Sequence, residues 1–159
     1  WPNFSHFVLV LLMFCGACAG STGGGIKCSR ILILGRCLRR ELHRIVHPRS
    51  VEVVRLDGKV LDEGTVNSVL VFISCYILAI LSATALVSLA DDTSFAVSFS
   101  ATLTCISNVG PGLQEIGPMG NFSSFSCFSK GVLSFLMILG RLEILPLLVL
   151  FTPSAWRKS

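Results

Sequence analysis

The sequence predicts an all-α membrane protein, and three observations carry that reading. The 159-residue chain is 52% hydrophobic and only 14% charged, against roughly 25% charged in ordinary soluble proteins. Nine of its thirteen Lys and Arg residues fall between Lys27 and Lys59, which is the pattern of membrane spans around one exposed basic loop. Between two apolar runs long enough to cross a bilayer lies an interlude, Asp91 to Lys130. It holds a short helix candidate and then a Gly-rich tip, Ser107-Asn108-Val109-Gly110-Pro111-Gly112-Leu113. A span, a short helix, a tip and a second span describe a chain that dips partway into the membrane and returns on the same side. The tip cannot face lipid, where its carbonyls would lack hydrogen-bond partners, but it can face a water-filled path or an ion. The chain therefore reads as part of a pore.

The elements follow in order. Phe4 to Phe14 is apolar but only about half the ~20 residues that a spanning helix needs. The next run, Cys15-Gly16-Ala17-Cys18-Ala19-Gly20-Ser21-Thr22-Gly23-Gly24-Gly25, contains five glycines. It admits two readings: a single span with close-packing positions at Gly16 and Gly20, or a helix broken by an irregular intramembrane loop. Each of the three consecutive glycines costs a helix about 1 kcal/mol relative to Ala, which favours the broken helix. A phosphate-binding loop is rejected, because Ile26 intervenes before Lys27 and no strand precedes the glycines.

The segment from Lys27 to Lys59 also carries Arg30, Arg36, Arg39, Arg40, Arg44, Arg49 and Arg55, and is cytoplasmic by the positive-inside rule. A helix is expected to run to about Val46, where Pro48 breaks it. Val51 to Leu61 reads as two short strands around an Asp57-Gly58 turn. Val66 to Ala90 is an uncharged spanning helix running outward. Asp92 and Thr93 suggest the N-cap of a helix over Ser94–Ile106. That helix is too short to cross at ~1.5 Å per residue, and its negative C-terminal end suits a cation at the tip. Gln114 to Ser129 is a polar loop, and Gly131 to Phe151 is the second span.

Arg141 sits in the middle of that span, where insertion costs about 2.5–3.5 kcal/mol. It should therefore face protein or water. Glu143 lies about 200° around the helix and makes a poor partner, and Pro146 is expected to kink the helix.

Other function classes find little support. The +4 net charge does not point to nucleic acid, because no aromatic residue interleaves the basic segment. The seven cysteines are an odd count set in apolar surroundings and read as buried small hydrophobes. Neither Cys15/Cys18 nor His43/His47 has the further ligand, acid or base that a redox or zinc enzyme needs, so an enzyme is not expected. A non-conducting membrane scaffold that pairs helices through Gly16 and Gly20 is the alternative. The first residue is Trp1 and no basic start precedes the apolar run, so a signal peptide is not expected and a piece of a longer polypeptide is.

These residues resemble the TrkH/TrkG/KtrB superfamily of potassium-uptake proteins. The resemblance rests on Gly16–Lys27 (GACAGSTGGGIK), His47-Pro48-Arg49, the tip Asn108–Leu113 (NVGPGL), Gly140-Arg141-Leu142-Glu143-Ile144, Leu147–Pro153 (LLVLFTP) and Trp156-Arg157. The tip and the Gly140–Ile144 motif lie nearer the TrkH/TrkG branch than KtrB. The resemblance implies K+-channel-like repeats of outer helix, pore helix and inner helix, four around one pore. Residues 1–46 would be the inner helix of the third repeat, broken by the loop at 15–25. Residues 47–65 would form a cytoplasmic linker and hairpin, and residues 66–159 the whole fourth repeat.

It also implies roles for particular residues. Ser107, Asn108, Val109 and Gly110 would be one of four selectivity-filter strands, with K+ held at Asn108, Val109 and Gly110. Gly20, Ser21, Thr22, Gly23, Gly24 and Gly25 would form a gate, with Arg141 reaching into the pore beside it. K+ would be the transported ion, with no cofactor. The expected setting is the lipid of the cell inner (plasma) membrane as a multi-pass protein. The expected partners are a second copy in a homodimer and a cytoplasmic nucleotide-binding regulatory subunit (TrkA-like).

Overall fold

A computed structural model describes residues 2–18, 20, 21, 23–47, 54–56, 59–142 and 146. Helix α1 (Asn3–Cys15) and helix α2 (Cys28–Val46) are separated by the glycine run. A two-stranded antiparallel ribbon follows, β1 (Arg55–Leu56) with β2 (Lys59–Val60), in which Arg55 faces Val60. Then come α3 (Glu63–Ala90), α4 (Phe95–Ser107), two short 3-10 turns (Gln114–Ile116 and Phe122–Ser124), and α5 (Cys127–Arg141). The Asp57-Gly58 turn, Pro48, Glu143 and the continuation of the last span beyond Leu142, except Pro146, lie outside the described residues.

Among the described residues α3 is the helix long and apolar enough to cross a membrane; its 28 residues extend about 42 Å at 1.5 Å per residue. It begins three residues before the uncharged run, because the Asp62 carboxylate caps it by accepting from the Gly64 N–H at 3.0 Å. One stripe of α3 is buried, through Val69, Phe72, Ile73, Tyr76, Ile80, Ala83 and Val87, while Leu78, Leu81 and Leu89 face outward. An apolar outward face is what lipid or neighbouring spans would cover.

Helix α4 lies at the centre, packed between α3 and α5. Apart from Phe99, every residue from Val97 to Ser107 is buried. Its N-cap is Ser94, whose hydroxyl accepts from the Val97 N–H, rather than Asp92 or Thr93. Thr93 instead directs its hydroxyl to Ser98, 2.7 Å away. Among the described residues no buried side-chain nitrogen or oxygen lacks a partner, although α4 buries five hydroxyls, on Ser98, Ser100, Thr102, Thr104 and Ser107.

At the basic end, α2 is fastened to α3. The Arg30 guanidinium lies 3.8 Å from the centre of the Phe72 ring. Arg40 pairs with Glu63 at 2.5 Å, and the Arg36 guanidinium donates to the Arg55 carbonyl of the ribbon. The cysteines depart from expectation. Cys37 and Cys105 are buried, whereas Cys18, Cys28 and Cys127 are exposed, because they sit on a loop or at helix starts rather than on packed faces.

At the opposite end Asp91 joins α3 to α5. Its carboxylate accepts from the Ser126 N–H at 3.1 and 3.3 Å, beside the Ser126 hydroxyl that caps α5. The Ser129 hydroxyl, opposed by partial desolvation and aided by Ser126 and Lys130, holds the Asp91 carboxyl below the usual carboxylate range. A carboxyl with a lowered folded-state pKa stabilises the fold above the unfolded value, roughly pH 4. That contribution disappears as pH falls through the lowered value. Asp91→Asn should therefore lower the thermal midpoint of the purified full-length protein at pH 7, with the gap to wild type closing towards pH 3. Parallel midpoints at both pH values would show that Asp91 contributes no charge-dependent stability.

Candidate functional site

The site is built around the C-terminal end of α4, which stops inside the protein. Asn108 takes a left-handed conformation, φ 54° and ψ 40°, and turns the chain sharply out of the helix. Its N–H donates to the Cys105 carbonyl at 3.2 Å, and the Val109 N–H reaches back to the Thr104 carbonyl at 3.1 Å. This pair of bonds is a Schellman closure, which satisfies carbonyls that a helix end otherwise leaves open. Asn tolerates the left-handed region better than most residues. Its side-chain amide also donates to the Met137 carbonyl on α5 at 3.4 Å.

Beyond Asn108 the chain is irregular. Val109 and Gly110 are exposed, and Gly110 has φ 110°, a conformation that side chains with a Cβ rarely adopt. The descending leg is tied to α4 from behind. The Thr104 hydroxyl donates to the Pro111 carbonyl at 3.0 Å, and the Leu113 N–H donates to the Ser100 hydroxyl at 3.3 Å. Open grooves flank the tip on both sides. One, of about 310 Å³, runs along α5 past Thr104, Asn108, Val109, Gly110 and Lys130. The other, of about 680 Å³, separates the tip from His6, Leu9 and Met13 of α1. Val109 borders both.

The glycine run folds back beneath this end. The Cys28 N–H donates to the Ala17 carbonyl at 3.1 Å, closing the loop at its neck. Gly24, Gly25 and Ile26 are buried, while Cys18, Gly20 and Ser21 are exposed. The inner leg touches the end of α4. A Cβ on Gly24 would stand 2.8 Å from the Ile106 carbonyl oxygen and 2.6 Å from the Asn108 amide nitrogen. From the other side, a Cβ on Gly140 would stand 1.9 Å from the same Ile106 oxygen. Two glycines from separate elements thus close on one peptide carbonyl, and neither position has room for a methyl group.

The residues singled out from sequence are therefore distributed unevenly. Asn108, Val109 and Gly110 form the irregular segment, whereas Ser107 is the last residue of α4 and is buried. Its hydroxyl lies 2.8 Å from the hydroxyl of Tyr76 on α3. Gly24 and Gly25 lie directly under Ser107 and Asn108, Gly23 is half-buried, and Thr22 lies outside the described residues. Arg141 is exposed and lines a cleft with Asn108, Met137 and Ile138, one residue beyond the Gly140 contact.

Sequence reasoning missed Tyr76, Thr104 and Ser100 as supports of this segment. Tyr76 is the single tyrosine of the chain, and a polar-tipped ring inside an apolar span was the available signal.

Known proteins resemble this chain in sequence and fold. The family model described as TrkH, cation transport protein, matches residues 1–158. The Trk system potassium uptake protein TrkH of Escherichia coli K12 is 41% identical over 160 residues, covering 99% of this chain and 32% of that protein. The Trk system potassium uptake protein TrkG of the same strain is 35% identical over 158 residues, again covering 99% of this chain and 32% of its own length. The crystal structure of the potassium transporter TrkH from Vibrio parahaemolyticus superposes with a TM-score of 0.87 at 39% identity, covering 99% of this chain and 33% of that one. The chain thus spans about a third of the length of the relatives it matches. With a family model matching almost end to end and a helical fold in common, the chain belongs to the TrkH family of cation transport proteins.

Proposed function

We propose that the chain supplies the C-terminal third of a potassium-uptake pore: the inner helix of a third repeat and the whole of a fourth. The observation that carries this reading is the end of α4. A helix stops inside the protein, its axis and negative end directed at an irregular glycine-bearing tip, and that tip is flanked by open grooves. In that reading the backbone oxygens of Asn108, Val109 and Gly110 replace part of the water shell of K+, with three like segments from other repeats supplying the rest. Ser107 fixes the base of the strand. K+ is the cargo, and the chain's own residues need no cofactor to carry it.

Gly20 to Gly25, with Ser21 and Thr22, would act as the gate. The support is the contact of Gly24 and Gly25 with the underside of Ser107 and Asn108, which lets the loop obstruct a path leaving the filter. Arg141, in the cleft below Asn108, would add an electrostatic barrier to cations there. The assembly proposed is a multi-pass protein of the cell inner membrane, working as a homodimer with a cytoplasmic nucleotide-binding regulatory subunit. The ribbon and the basic face of α2, tied together by Arg36, are the surface we assign to that subunit.

The decisive experiment is rubidium uptake by the full-length protein in a cell that lacks its own K+-uptake systems. Restored, saturable uptake is expected; none would remove the transport reading in favour of a scaffold. Gly110→Ser should reduce the preference for Rb+ over Na+ on the order of tenfold, equivalent to ~1.4 kcal/mol of lost discrimination. An unchanged ratio of Rb+ to Na+ flux would exclude Gly110 from the filter. Arg141→Ala should raise the unregulated flux several-fold, measured as Rb+ uptake without the regulatory subunit. Wild-type flux and wild-type regulation together would make the arginine purely structural.

A further inference from the structure

The tip is suspended between an upper and a lower fixing point, and the lower one leads to a residue outside the motifs named above. The upper fixing is the pair Thr104 to Pro111 and Ser100 to Leu113. The lower fixing is the 2.8 Å contact between the hydroxyls of Ser107 and Tyr76. Tyr76 is 1% exposed and Ser107 4%, so no bulk water replaces that bond. The Tyr76 ring is itself held on two sides. Phe72 stacks on it at 6.2 Å and 21°, and Phe14 of α1 meets it edge-on at 6.4 Å and 68°. The Arg30 guanidinium lies over the Phe72 ring. Tyr76 is thus fixed in orientation and presents its hydroxyl to the residue immediately before Asn108.

We propose that Tyr76 is a positioning residue for ion discrimination, setting through Ser107 the height at which the Asn108–Gly110 carbonyls begin. The proposal rests on the reading of residues 108–110 as part of a K+ filter. Carbonyl substitution discriminates between cations only while the oxygens keep their spacing and number. Without that bond, removed from either side, the last residue of α4 is no longer held to α3, and the turn that begins there is free to shift. The turn at Ser107 would then displace the base of the strand while the upper fixing stays in place. The carbonyl ring would lose its fit to K+, yet the path would stay open.

The test uses the full-length protein in the K+-uptake-deficient cell, with Rb+ uptake measured against increasing Na+. Tyr76→Phe removes only the hydroxyl and keeps the ring between Phe14 and Phe72. Its maximal Rb+ uptake, membrane abundance and thermal midpoint should stay near wild type. Its preference for Rb+ over Na+ should fall roughly three- to tenfold, the range expected from losing one buried hydrogen bond. Ser107→Ala, which removes the same bond from the other side, should lower the preference by a similar factor. The double variant should be no worse than either alone, because all three lack the same contact.

Wild-type preference in Tyr76→Phe, or effects that multiply in the double variant, would overturn the proposal. Should Tyr76→Phe fail to accumulate, Ser107→Ala decides alone, and unaltered preference there overturns it. A wild-type protein that takes up Rb+ with normal selectivity while both variants do the same separates failure of this inference from failure of the pore reading. Failure of the pore reading would show as no Rb+ preference in the wild type itself.

Discussion

The structure depends on a helix that ends inside the protein. In a spanning helix the last carbonyls emerge into water or headgroups, but α4 is 13 residues long and stops among packed side chains. Each open carbonyl there is costly unless it finds a donor. The Schellman closure at Asn108 satisfies Thr104 and Cys105, and the Asn108 amide lies 3.5 Å from the Ile106 oxygen. The same turn swings the following backbone away from the helix, so the solution to the capping problem is also what exposes the Val109 and Gly110 peptides. Capping and exposure of the strand are one event.

Around that end, hydroxyls do the work that hydrophobic contact cannot do inside a membrane protein. The stripe of Ser and Thr on α4 is not a wet face. Thr102 meets Thr84 of α3 at 2.8 Å, Ser107 meets Tyr76, and Thr104 and Ser100 hold the descending leg. Interhelical hydrogen bonds of this kind average about 0.6 kcal/mol each in membrane proteins, so their value lies in fixing register more than in adding stability. The glycines complete the arrangement by removing bulk. Gly24 below and Gly140 beside the Ile106 carbonyl let a loop and a helix approach the same peptide.

Much of this was legible in the sequence, for identifiable reasons. The uncharged run from Val66 and the short apolar run after Asp92 each have a length that fixes their type, so α3 and α4 could be read from composition. Three adjacent glycines disfavour helix by composition alone, and they lie between the end of α1 at Cys15 and the start of α2 at Cys28. Element starts were less legible. Asp62 and Ser126 cap α3 and α5 four and five residues ahead of the apolar runs, and Ser94 displaces Asp92 and Thr93 as the cap of α4. The supports of the tip were not legible. Tyr76 and Ser107 are 31 positions apart, and nothing local in either marks the other. Gly140 stood out in a motif, but its reason, a carbonyl arriving from α4, exists only in three dimensions.

The spacing of these bonds along the chain also has a bearing on biogenesis. Thr84 and Thr102 are 18 residues apart and Tyr76 and Ser107 31, so both pairs are synthesised before any of α5. The nascent α3–α4 hairpin can consequently mate on its own schedule, hiding a hydroxyl-rich segment too short to be retained by lipid as a lone span. The carboxylate clasp from Asp91 to Ser126 forms only once the next segment emerges. The hairpin thus has its own partners complete in sequence first, and the last helix arrives as the closing piece.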